Sequence, residues 1–242
     1  LNLPPRAAAI LADLLDAGTY KLPSLRKILC GGAGLAASVT QRLRVHGIEA
    51  FGCYGLTECS PCVSVNRDSW HKDGSCGVAL RCNEVRVGES GEVLVRGANV
   101  MAGYLGRPEL TAKRIDGDGW LHTGDVGHID KDGFLFVDGR LDDVIVLADG
   151  TMVAPEVLER ALGAHPAIAQ ALVYGMPDKR SGQVVLACKL VLRDGVGCDG
   201  ERGAVDFARS VQTPDGARIE YIELSCEPLP LSPAGKLLRR QA

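Results

Sequence analysis

Gly119-Trp-Leu-His-Thr-Gly-Asp-Val126, followed closely by Gly133-Phe-Leu-Phe-Val-Asp-Gly-Arg140, decides how the chain is read. Both stretches alternate apolar residues between glycines, the pattern of strands, and Lys131-Asp-Gly133 supplies the turn between them. They deliver one carboxylate, Asp125, and one guanidinium, Arg140. A carboxylate accepts hydrogen bonds from paired hydroxyls, and an arginine fork clamps sugar or phosphate oxygens. The pair is therefore suited to a nucleotide ribose. A surface ion pair beside turn glycines has the same residues, so the reading depends on what surrounds it.

Upstream, residues 5–16 repeat apolar side chains at helical spacing and stop at Gly18. Residues 25–30 read as a strand into Gly31-Gly-Ala-Gly34, residues 36–45 as a helix, and residues 48–51 as a strand into Gly52. That order predicts α/β layering with parallel strands. Residues 76–140 are mostly β, with a hairpin over 84–87 and 92–96 and a short helix at 108–115. Downstream, a hairpin turning at Asp149-Gly150, a helix at 155–162, strands at 168–174 and 184–192, a helix at 205–211 and a strand at 218–224 make an α+β unit. The boundary is expected near Asp142.

Composition bounds the partners. The 242 residues are 46% hydrophobic and 24% charged with net charge −3, and no run of Lys or Arg exceeds two residues. These values are those of an ordinary globular protein and give no sign of a nucleic-acid partner. No apolar run approaches the ~20 residues of a transmembrane segment. No signal peptide is recognised, and a cytoplasmic location is expected. The nine cysteines are scattered, and Cys59-Ser-Pro-Cys62 is the single C-x-x-C. Without a second such pair they read as reduced thiols rather than a zinc or redox site.

Three further clusters can carry chemistry. Gly31-Gly-Ala-Gly34 after a strand lets backbone approach a flat ligand or a phosphate, though a tight strand-to-helix turn needs the same glycines. Gly52-Cys-Tyr-Gly-Leu-Thr-Glu58 offers a ring to stack a base, a hydroxyl for a phosphate and a carboxylate for Mg²⁺; a solvated loop is the alternative. Pro230-Leu-Ser-Pro-Ala-Gly-Lys-Leu237 presents one lysine on a Gly/Pro-rich loop.

Tyr54-Gly-Leu-Thr-Glu58, Gly97-Ala-Asn-Val-Met-Ala-Gly-Tyr104, Thr123-Gly-Asp125, Gly139-Arg140 with Asp143, Gly150 through Pro155-Glu156, and Pro233-Ala-Gly-Lys236 follow one another in one order. Together they are similar to the adenylate-forming, AMP-binding superfamily of acyl-CoA synthetases, peptide-synthetase adenylation domains and firefly luciferase. The chain most resembles an acyl-CoA synthetase of the long-chain fatty-acid–CoA ligase kind. The resemblance implies the C-terminal part of a large adenylation domain over residues 1–141, an α/β layer with a β-rich subdomain. A small mobile α+β domain over residues 142–242 would follow. It implies ATP-dependent activation of a carboxylic acid to an acyl-adenylate, then transfer to a thiol, coenzyme A or the phosphopantetheine of an acyl-carrier protein.

By position, Gly31, Gly32 and Tyr54 would line the adenine pocket, Ala33 and Gly55 would also bind the nucleotide, and Thr57 would meet the α-phosphate. Glu58 would hold Mg²⁺, and Asp125 and Arg140 the ribose hydroxyls. Lys236 would bridge the carboxylate and the α-phosphate, Asp142 would be the hinge, and Asp149 and Gly150 would approach the pantetheine tunnel. The family's Ser/Thr/Gly-rich phosphate loop has no counterpart, and the segment between Arg86 and Gly91 is short. The expectation is a ligase truncated at its N-terminus, with a non-catalytic nucleotide-binding module as the alternative. Truncation also predicts exposed apolar side chains within residues 1–75.

Overall fold

The computed structural model describes residues 1–32, 34–232 and 237–239. Two compact units divide between Asp138 and Gly139.

The first unit opens with β1 (Asn2–Leu3), α1 (Pro5–Asp16), β2 (Lys27–Cys30), α2 (Ala37–Val45) and β3 (Glu49–Tyr54). Proline stands in the first turn of α1, where its missing N–H costs nothing, and Ala8, Ala12 and Leu15 recur on one buried face. β1, β2 and β3 pair in parallel, as the helix–strand alternation predicts. Ile28, Cys30, Leu43 and Ile48 fill the space between sheet and helices. β4 (Ser64–Val65) and β5 (Val78–Ala79) extend the sheet antiparallel. Apolar exposure within residues 1–75 is found at Leu1, Ile10, Leu14, Tyr20, Leu22, Val45 and Trp70.

A second sheet follows, in the order β6 (Asn83–Val87), β7 (Glu92–Gly97), β8 (Leu121–Ile129) and β9 (Leu135–Arg140), with α3 (Pro108–Arg114) between β7 and β8. Cys59 and Val63, from the segment after β3, share a core with Val93, Val95, Leu121 and Leu135. That core fixes the loop after β3 against the second sheet. Trp120 lies under two guanidinium groups, Arg86 at 4.0 Å and Arg96 at 4.5 Å from its ring centre, which pins the start of β8.

The second unit holds a small hairpin, β10 (Ile145–Val146) with β11 (Met152–Val153), then α4 (Pro155–Leu162), β12 (Ile168–Pro177), β13 (Val184–Leu192), α5 (Cys198–Ser210) and β14 (Ile219–Ser225). β12 and β13 are antiparallel, and β13 and β14 parallel. Leu158, Leu162, Ala204 and Ala208 from the two helices pack on Ile168, Val173, Leu186 and Leu190 of the sheet. α5 begins at Cys198, well before the 205–211 expected, because Gly200 and Gly203 hide its periodicity. The first of these glycines makes a close approach: a Cβ at Gly200 would lie 2.6 Å from Val196 Cγ1, which would have to shift. Among the described residues no helix is long and apolar enough to cross a membrane.

Leu190 is wholly buried, whereas Leu224 on the neighbouring strand is exposed. Leu190→Ala is expected to lower unfolding free energy by about 2–5 kcal/mol, and Leu224→Ala by less than about 0.5 kcal/mol. Urea denaturation followed by circular dichroism checks the contrast.

Candidate active site

The first unit brings most of the expected nucleotide-binding residues to the C-terminal ends of β2 and β3, where ligands of parallel α/β sheets bind. Gly31 follows β2 directly. A Cβ there would meet Cys53 Sγ at 2.8 Å, and Gly32 has φ +85°, so both positions favour glycine. Ala33 lies outside the described residues.

Tyr54 ends β3, and its hydroxyl donates to Asp125 Oδ2 at 2.6 Å across 71 positions of sequence. Burial first, and then the Asp125 carboxylate, push the Tyr54 hydroxyl far above its ordinary range, so it remains a donor. Gly55 has no room for a side chain, since a Cβ would lie 1.7 Å from the Pro61 carbonyl oxygen. Thr57 and Glu58 then form a 3₁₀ turn, Thr57–Cys59, closed by Ser60 at φ +54°. Asn99 Nδ2 donates to the carbonyl oxygens of Cys59 at 2.8 Å and Cys62 at 2.9 Å, fastening that turn.

Glu58 is held at both ends. Its carbonyl accepts the Met101 N–H at 2.8 Å, and its Oε1 accepts the Tyr104 hydroxyl at 2.7 Å. The carboxylate, more than partial burial, raises the Tyr104 hydroxyl above its usual range. Mg²⁺ is commonly held by one or two carboxylates completed by phosphate oxygens and water, a donor set that a single oriented Glu58 fits. Among the described residues no group of three or more His, Cys, Asp or Glu forms a protein-only metal cage.

Asp125 owes its position to a residue that sequence reading passed over. Glu92, at the head of β7, is 9% exposed. Its Oε1 accepts the Gly124 N–H at 2.8 Å, and its Oε2 lies 2.9 Å from His122 Nδ1. The Thr123 hydroxyl donates to the Val93 carbonyl at 2.6 Å and accepts the Asp125 N–H at 3.1 Å. The pairing of β7 with β8 shifts register here, between Glu92 and Leu94. A carboxylate buried at the start of an apolar strand was the available signal. Tyr104 stood within the quoted 97–104 motif with no role attached.

In the second unit, Arg140 ends β9 and Asp142 lies in a 3₁₀ turn, Leu141–Asp143. Gly139 packs within 3.4 Å of Glu156, measured from a would-be Cβ, and burial raises the Glu156 carboxyl above its usual range. Asp149 Oδ1 accepts the Thr151 N–H at 2.9 Å, and Gly150 has φ +87°, which gives the expected tight turn. Lys236 lies outside the described residues.

A family model described as AMP-binding enzyme matches residues 1–105, and one described as AMP-binding enzyme C-terminal domain matches residues 157–236. A 4-coumarate–CoA ligase of Glycine max is 34% identical over 98% of this chain and 86% of its own length. The chain belongs to the AMP-binding enzyme family. A 4-coumarate–CoA ligase of Nicotiana tabacum is 35% identical over 98% of the chain and 46% of its own length. The solved o-succinylbenzoate coenzyme A synthetase of Bacillus subtilis, in complex with ATP and magnesium ion, aligns with TM-score 0.81 and 30% identity. That alignment covers 99% of this chain and 50% of the synthetase. This AMP-binding chain therefore spans about half the length of most curated relatives it matches.

Three thiols beside this site, and one in the core of the second unit, are quiet. Burial pushes Cys30, Cys53 and Cys59 up to about 11 and Cys188 up to about 12. Iodoacetamide at pH 8 is expected to spare these four and to label the exposed Cys82, Cys198 and Cys226, read by peptide mass spectrometry. Glu92→Ala would strand the Gly124 N–H and the His122 ring, and is expected to cost about 1–3 kcal/mol in urea unfolding.

Proposed function

We propose that the intact protein activates a carboxylic acid with ATP and transfers the acyl group to a thiol, coenzyme A in the first instance. The observation that carries this reading is the hydrogen bond from Tyr54 to Asp125, with the Tyr104-anchored Glu58 on the same loop. They supply an aromatic ring for the base, a carboxylate for the ribose and a second carboxylate for the metal.

In the first step a carboxylate oxygen attacks the α-phosphorus of ATP. The new O–P bond forms as the bond to pyrophosphate breaks. Gly31, Gly32, Tyr54 and Gly55 line the adenine; Asp125 and Arg140 hold the ribose hydroxyls; Thr57 donates to the α-phosphate. Mg²⁺ on Glu58 would offset charge on the phosphates. Lys236 bridges the incoming carboxylate and the α-phosphate, and a cation there offsets the repulsion between two anions as charge builds. In the second step a thiolate attacks the acyl carbon and AMP leaves. Asp142 serves as the hinge between the steps, and the turn at Asp149 and Gly150 then serves the pantetheine arm. The domain boundary belongs near Asp142, with residues 142–242 as the small domain.

The substrate class follows the relatives. 4-Coumarate and o-succinylbenzoate are aromatic carboxylates, which favours an aromatic acid over the fatty acid expected from the sequence. A cytoplasmic setting, with its coenzyme A and ATP, suits the same chemistry.

The test is ATP–pyrophosphate exchange with the full-length protein over a panel of aromatic and fatty acids. Exchange is expected with at least one aromatic acid. Lys236→Ala should lower its rate by ~10²–10³, and Tyr54→Phe should weaken ATP by about tenfold through loss of the Asp125 contact. A folded protein with no acid-dependent exchange would overturn the reading.

A further inference from the structure

The second unit contains an ion pair that none of the chemistry above uses. Arg239 and Glu159, on α4, are 15% and 13% exposed at their side chains. The pair is bidentate: Arg239 Nη1 donates to Glu159 Oε1 at 2.8 Å and Nη2 to Oε2 at 2.6 Å. β12 is an edge strand of its sheet, so Val173 presents an N–H and a carbonyl without a strand partner. Glu159 Oε1 accepts that N–H at 2.7 Å, and Arg239 Nη1 donates to that carbonyl at 3.2 Å. Arg239 Nε also lies 3.4 Å from Asp143 Oδ2, in the turn that contains Asp142. One guanidinium therefore joins α4, the edge of β12 and the turn at the expected hinge.

The chain just before Arg239 is pinned as well. Leu237, the neighbour of Lys236, bridges antiparallel to Leu231, and the Leu238 N–H donates to the Pro230 carbonyl at 2.9 Å. Leu229 is buried against Leu172 and Val191, and its backbone N–H donates to Gln170 Oε1 at 2.8 Å. Leu229 and Arg239, on either side of Lys236 in the sequence, are thus both tied to β12, Arg239 through its charged fork. A fork that makes two parallel bonds fixes direction as well as distance, which a lysine ammonium does not.

Resting on the ligase reading, we propose that Arg239, gripped by Glu159 and Asp143, is the positioning residue that sets the base of the Lys236 loop for acyl-adenylate formation. Arg239 is needed for the step that uses Lys236 and is dispensable for the step that does not.

The experiment measures the two half-reactions separately in the full-length protein: ATP–pyrophosphate exchange, and thioester formation from a synthetic acyl-adenylate and coenzyme A. Arg239→Lys keeps the charge and loses the fork; Glu159→Gln keeps the shape and weakens the grip. Both variants are expected to lose roughly 10- to 100-fold in exchange kcat, with the ATP KM and the second half-reaction within about twofold. Urea midpoints confirm that the variants fold. Equal losses in both half-reactions would make the pair merely structural and overturn the proposal, as would unchanged exchange. Absence of acid-dependent exchange in the unaltered protein would overturn the ligase reading, and the positioning role with it.

Discussion

The candidate site of the first unit depends on one buried carboxylate. Glu92 accepts the Gly124 N–H, and that bond, with the Thr123 hydroxyl on the Val93 carbonyl, fixes the bend of β8 that presents Asp125. Tyr54 then reaches Asp125 from the end of a different sheet. In surroundings of low dielectric such a relay is stiff, because any member left unpaired would bear the full cost of its lost hydration. Asp125 is therefore oriented by protein contacts alone.

The second unit uses a charge pair for a comparable purpose. A buried salt bridge adds little net stability, because the desolvation of its two ions offsets most of their attraction. Glu159 and Arg239 do something that apolar side chains of equal volume would not: they satisfy both backbone groups of Val173 at an open sheet edge. Val173 is thereby unavailable for pairing with another strand, and the chain at Arg239 is anchored by the same atoms.

The elements themselves were largely legible. α4 and β13 lie where their periodicity places them, because each has an uninterrupted apolar pattern and a proline or glycine boundary. The start of α5 was hidden, since Gly200 and Gly203 weaken helical periodicity, and Gly200 lies close against Val196. The motif residues Tyr54, Glu58 and Asp125 were named from their chemistry, yet the residues that orient them were not. Tyr104 and Glu92 act through contacts 46 and 32 positions away, and no local pattern reports a partner at that separation.

The sequence alone determined the inventory: which residues are glycine where backbone must turn, which carboxylates and which lysine stand in the motif order, and where helices and strands alternate. These are local properties, set by φ/ψ preference, hydrophobic period and side-chain chemistry. Only the tertiary structure decided which of those groups meet. The hydrogen bond from Tyr54 to Asp125, the burial of Glu92 and the fork of Arg239 on Glu159 arise when separate strands and helices pack. The physical reason is that a hydrogen bond needs its partners within about 3 Å, and chain separation says nothing about that distance until the core has formed.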